Sequence, residues 1–146
     1  MTNDLHVQVR KESSYAVIST DGYINNVGGE KVGEIGYHDP CHLSGTLGKG
    51  PEAREVLSRA VGPAFAEMAG ADLCCGYGGT FNVRDYPTSA RIGKNKVEAA
   101  ARGGTKVIST ACSGCVLQMG DMAARTDPSL RVVHIAELVH RALFRK

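Results

Sequence analysis

From Val32 onward, short apolar runs alternate with longer segments of helical periodicity, the pattern of successive strand and helix units. Residues 33–38, Gly-Glu-Ile-Gly-Tyr-His, read as a strand. After a Gly-rich loop, Pro51 opens a helix over 51–61 with Glu52 and Glu55 early in it, where carboxylates meet the positive end of the helix dipole. Ala64-Phe65-Ala66-Glu67-Met68 is a weaker strand that leads into Asp72-Leu73-Cys74-Cys75-Gly76. Pro87 starts a second helix with Ala90, Val97 and Ala101 on one face, stopped by Gly103-Gly104. Residues 106–110 carry the β-branched run of a buried parallel strand. A helix over 114–124, a strand over 130–134 and a helix over 136–144 complete the chain.

This order predicts an α/β fold: a parallel sheet of about four strands with helices on both faces, Rossmann-like in plan. In such a sheet the carboxyl ends of the strands share one edge, where open α/β sheets place their ligands. Cys41 is expected just past the first strand, Cys74 and Cys75 past the second, and Cys112 and Cys115 past the third, so all five thiols converge on that edge. Residues 1–32 are less regular. His6-Val7-Gln8-Val9 and Ala16-Val17-Ile18 alternate loosely about Glu12-Ser13-Ser14, and Asp21-Gly22 and Gly28-Gly29 break the chain. We expect an N-terminal arm or extra strands over 1–32 and one cysteine-rich domain over 33–146.

Composition narrows the function. The 146 residues are 42% apolar and 22% charged, which suits one folded domain, and the net charge of +2 gives no field that points to nucleic acid. No tryptophan and 5% aromatics leave no platform for stacking bases. No stretch approaches the ~20 apolar residues of a bilayer span, and Met1-Thr2-Asn3-Asp4 does not open a secretion signal, so an intracellular location is expected.

Five cysteines change the picture most. An odd count cannot pair off, and free thiols inside the cell point to metal or redox chemistry before structural disulfides. Cys112 and Cys115 form a Cys-x-x-Cys pair, whose gap at a loop-to-helix junction brings two sulfurs to one centre. Adjacent Cys74 and Cys75 cannot easily both face one small ion, but they can bridge different metals of a cluster. A disulfide between them would close a strained ring. Five thiolates also exceed the four of tetrahedral zinc or of an ordinary cubane. Gly76, Gly78 and Gly79, together with Ser113-Gly114 at a helix start, offer backbone N–H donors that would stabilise negative sulfur.

The segments Asp39-Pro40-Cys41-His42, Cys74-Cys75-Gly76-Tyr77-Gly78-Gly79-Thr80-Phe81 and Cys112-Ser113-Gly114-Cys115 resemble the cysteine-rich CCG domain, with the likeness covering about residues 35–145. That family includes the B subunit of heterodisulfide reductase and iron–sulfur subunits of glycolate oxidase, lactate-utilisation and anaerobic glycerol-3-phosphate dehydrogenase systems. The resemblance implies a non-cubane [4Fe-4S] cluster held by Cys41, Cys74, Cys75, Cys112 and Cys115, a cofactor lost on exposure to air. It implies an electron-transfer or disulfide-reducing role in a cytoplasmic oxidoreductase complex, attached to the inner face of the membrane only through partners. Those partners would be a ferredoxin-type iron–sulfur module and a flavin-containing subunit. Family members commonly carry two such domains behind a ferredoxin module, whereas this chain has one cysteine set and no Cys-x-x-Cys-x-x-Cys run. Val133-His134-Ile135-Ala136-Glu137-Leu138 and Gly78-Gly79-Thr80-Phe81 resemble the lactate and glycolate subunits most.

Two other readings stay open from the residues alone: a zinc-stabilised interaction domain, and a dithiol oxidoreductase working through Cys112 and Cys115. His38 and His42 flank Cys41 and are read as hydrogen-bonding within the loop, because five thiols already suffice. His134 and His140 are read as structural or solvated, Met119 and Met122 as packing, and Arg91, Lys94, Lys96 and Arg102 as a solvated helix face. Gly76-Tyr77-Gly78-Gly79 lacks the following Lys-Ser or Lys-Thr of a phosphate loop.

Overall fold

The computed structural model describes residues 34–144, so the strands expected at 6–9 and 16–18 lie outside the described residues. Val107-Ile108-Ser109-Thr110 forms the central strand β2 of a three-stranded parallel sheet, flanked by β1 (Ile35–His38) and β3 (Arg131–His134). The register pairs Val107 with Ile35 on one side and Arg131 on the other, and Thr110 with His38 and His134. All four residues of β2 are buried, as expected of a strand covered on both faces.

Alternation along the strands builds two cores. Ile35, Tyr37, Val107 and Val133 face α1 (Gly50–Val61) and α5 (Ile135–Phe144), meeting Leu57, Val61 and Leu138. Ile108 and Val132 face the other way, toward α3 (Tyr86–Arg102) and α4 (Ser113–Thr126), and join Val97, Ala100, Met119, Met122, Cys75 and Cys115. Each fully buried aliphatic side chain contributes about 1.5–3 kcal/mol by leaving water. Helices therefore cover both faces. The short α2 (Thr80–Arg84) lies between the Cys74-Cys75 loop and α3.

The expected fourth strand at 64–68 shrinks to a single parallel bridge, Ile35 with Phe65, supported by the Ala66 N–H donating to the Ile35 carbonyl at 3.0 Å. A side chain at Gly36 would lie 2.7 Å from the Met68 Cβ, so Met68 packs over the face of β1 at Gly36. Pairing resumes only as the Asp39 N–H reaches the Ala71 carbonyl at 2.9 Å. Cys74 and Cys75 consequently follow a loop and not a strand end. The bridge still marks the topology: Phe65 lies on the side of β1 away from β2, so the winding direction reverses between β1 and β2. Such a reversal opens a crevice at the carboxyl ends of the two flanking strands.

Candidate metal centre

The loop carrying Cys75, the start of α4 carrying Cys115 and the end of β1 at His38 meet at this crevice, whereas Cys41, Cys74 and Cys112 lie outside that group of three. Past β1, Asp39 accepts two hydrogen bonds of 2.7 Å from the Arg54 guanidinium on α1 and one of 2.8 Å from the Ser44 hydroxyl. Arg54 also donates to Glu67 at 2.8 Å. Arg54, first among its neighbours, holds the Asp39 carboxyl below the usual range. The latch fixes the start of a six-residue π-helical turn, Cys41–Thr46.

The second segment is fixed by groups the sequence did not single out. Lys96, expected on a solvated face, is buried at 1% exposure, and its ammonium donates to the carbonyls of Gly70 and Ala71. A buried cation needs partners, and these two carbonyls supply them. Burial pushes the Lys96 pKa down to about 8. Arg91, Lys94 and Arg102 are exposed as expected. The Ser89 hydroxyl donates to the Gly76 carbonyl at 2.7 Å, and Gln118 and Asn82 complete the network by donating to Ser89 at 3.0–3.1 Å. Gly76 has φ +87°, and a Cβ there would lie 2.5 Å from the Ser89 carbonyl oxygen, so only glycine lets the loop lie against α3. The overlooked signal was polar side chains on otherwise apolar helix faces: Ser89 and Lys96 lie on the face of Val97 and Ala100, and Gln118 lies beside Met119 and Met122.

The third segment ends β2 and starts α4. Cys112 is the residue before the first helical turn and Cys115 lies within that turn, next to the unpaired N–H groups and positive dipole end of α4.

Within this frame the sulfur atoms of Cys75 and Cys115 stand 3.3 Å apart, both buried. The hydrogen bond shared with Cys115, together with the Tyr77 N–H at 3.5 Å and the nearby His38 imidazole, holds the Cys75 thiol well below the usual range. The same partner, burial and Cys112 hold Cys115 well above it. One ring nitrogen of His38 joins them, the three candidate ligand atoms lying within 4.8 Å of one another. Two thiolates each about 2.3 Å from one tetrahedral ion stand about 3.8 Å apart, so the two sulfurs need to separate by only a few tenths of an ångström to share one. All five cysteines are free thiols; Cys112 is half-buried, and Cys41 and Cys74 are exposed. The Cys74 sulfur accepts the Gly76 N–H at 3.3 Å, and the Cys41 sulfur lies 3.7 Å from Nδ1 of His42. Of the expected amide donors Gly76 points at a sulfur, and Tyr77, which was not expected, does so in place of Gly78 and Gly79. Gly114 serves a different end, since a Cβ there would lie 2.8 Å from the Tyr77 ring.

The residues fit a metal-containing group on a further count. Among the described residues, the buried side-chain polar atoms without a partner are Tyr37 Oη, both ring nitrogens of His38, Ser109 Oγ and Thr110 Oγ1. They fall on two registered pairs, Tyr37 with Ser109 and His38 with Thr110, at the ends of the strands that flank the crevice. Each such orphan costs about 1–3 kcal/mol; His38 and Thr110 lie on the face that holds the two sulfurs and are the pair a guest there would meet, whereas Tyr37 and Ser109 lie on the opposite face. Elsewhere the histidines and methionines meet their expectations: His134 Nδ1 accepts the Ala136 N–H at 3.2 Å, the His140 and Phe144 rings lie 5.0 Å apart, and Met119 and Met122 are core.

A model of the CCG family, described as a cysteine-rich domain, matches residues 35–120. The chain belongs to the CCG cysteine-rich domain family. CCG relatives include lactate utilization protein A of Bacillus subtilis, 35% identical over 126 residues that cover 83% of this chain and 53% of the relative. The protein of the same name from Lysinibacillus sphaericus is 32% identical over 117 residues, covering 80% of this chain and 51% of its own. This CCG chain thus spans about half the length of the curated relatives it matches. No solved structure matches it. No described helix is long and apolar enough to cross a membrane.

Proposed function

We propose that the chain is an iron–sulfur electron-transfer domain of an oxidoreductase system acting on lactate or a similar 2-hydroxy acid. Cys41, Cys74, Cys75, Cys112 and Cys115 would hold a non-cubane [4Fe-4S] cluster. The observation that carries this reading is the meeting of Cys75, Cys115 and His38, from a loop, a helix start and a strand end, at one buried point. The names of the similar proteins support the lactate assignment. When bound, the group supplies one-electron chemistry.

The chain's own residues prepare that site. Gly76 and Tyr77 direct N–H groups at the sulfurs of Cys74 and Cys75, stabilising thiolate without adding a charged side chain. The Asp39–Arg54 latch and Lys96 hold the cysteine loops, while Ile108, Val97 and Met119 keep the inner side of the site dry. Cys41 and Cys74 are exposed, and a ferredoxin-type module and a flavin-containing subunit would deliver the electrons.

Zinc is the second reading, favoured by one nitrogen and two sulfurs within reach of a single ion. Oxygen-free expression with added iron, then iron and sulfide analysis and electron paramagnetic resonance, separates the two. About four irons with matching sulfide and a reducible brown chromophore support the cluster; one zinc without colour overturns it.

A further inference from the structure

We propose that His38 is a direct nitrogen ligand of the metal centre, beside the thiolates of Cys75 and Cys115; the inference rests on the metal-centre reading above. His38 is 1% exposed, and neither ring nitrogen has a hydrogen-bond partner. A histidine that serves packing or loop structure satisfies at least one nitrogen, as His134 does through the Ala136 N–H. His38 ends β1 on the same face as Ile108, the face that holds both buried cysteines. Its nitrogen lies within 4.8 Å of both sulfurs, so a small inward shift of the side chains places all three on one ion with bonds of about 2.0–2.3 Å. A ligating imidazole also needs an acceptor for its second N–H. Thr110 is paired with His38 in register, and its hydroxyl is likewise buried without a partner. A bound metal accounts for one orphaned nitrogen of His38, and the Thr110 hydroxyl is the neighbouring group on the same face.

Ligation by neutral imidazole would lower the negative charge of a set otherwise made of thiolates and raise the reduction potential of the centre. His38→Cys, which restores a sulfur donor, is then expected to shift the midpoint potential downward with iron content retained.

The direct test uses the full chain with 15N-labelled histidine, prepared without oxygen, loaded with ferrous iron and sulfide, and examined by pulsed electron paramagnetic resonance. The expected result is a nitrogen coupling of the size of a bound imidazole that changes with the isotope, persists in His42→Asn and vanishes in His38→Gln. If the chain carries zinc instead, X-ray absorption at the zinc edge is expected to show imidazole scattering at about 2.0–2.1 Å. An intact cluster or zinc site without imidazole ligation overturns the role of His38 and leaves the metal centre standing. Failure of the unaltered chain to bind either metal overturns both. Because the labelled unaltered chain gives the primary readout, misfolding of a variant does not remove the test.

Discussion

The guanidinium of Arg54 and the carboxylate of Asp39 face each other as two forks, joined by parallel hydrogen bonds of 2.7 Å each. The pair is partly withdrawn from water, with side chains 26% and 14% exposed, and it stands two residues before Cys41. Lysine has no fork to match the carboxylate. Arg54→Lys should destabilise the chain by about 1–3 kcal/mol and lower iron retention by releasing the Cys41 turn. Urea unfolding of the metal-free protein and iron content after gel filtration check this; a variant equal to the parent in both would refute the latch. The lowered Asp39 pKa means that its contribution is complete above its ordinary value of 3.8 and fades as pH falls below it.

Lys96 carries the opposite kind of pH dependence. Its pKa falls from 10.5 to about 8 on burial, so between those values the unfolded chain binds more protons than the folded one. Stability then rises with pH across that window, by about 3 kcal/mol at most. Tyr37, pushed up to about 12 chiefly by burial, acts in the reverse sense above pH 10 and sets the upper limit of a clean measurement. Subtracting the stability–pH curve of Lys96→Met from that of the parent between pH 8 and 10 isolates the effect. A flat difference would show that Lys96 is not held as a buried cation.

Gly93 and Gly120 offer a contrast between two helical glycines. A Cβ at Gly93 would lie 2.9 Å from the Cys75 carbonyl oxygen, the Gln118 amide nitrogen and Met122, whereas one at Gly120 meets nothing within 4 Å. Gly93→Ala should cost about 1–3 kcal/mol by forcing the Cys74-Cys75 loop off α3. Gly120→Ala should gain about 0.5–1 kcal/mol through helix propensity. Thermal unfolding of both variants decides it, and similar shifts in the two would contradict the close packing of loop and helix.

Much of this frame was legible from apolar spacing and breakers. Pro51 and Val61 bound the first helix, Gly103-Gly104 end α3, and the β-branched residues of β2 mark the buried central strand. What periodicity could not convey was side-chain reach. The strand that alternation favoured at 64–68 is a single bridge at Phe65, with Met68 packed over Gly36. Lys96 occupied an apolar face because two carbonyls brought from 26 and 25 residues away compensate its charge. Cysteine spacing singled out Cys75 and Cys115, but their burial, and His38 beside them, depend on strand register. That is a long-range property no local window contains.

The most direct test of a five-thiol centre is the reactivity of the two cysteines that lie exposed, Cys41 and Cys74. Alkylation of the native iron-loaded protein, read by mass spectrometry of its peptides, should leave both unmodified, and both should react once iron is removed by chelation under reducing conditions. Full alkylation of either while the iron remains bound would contradict the account.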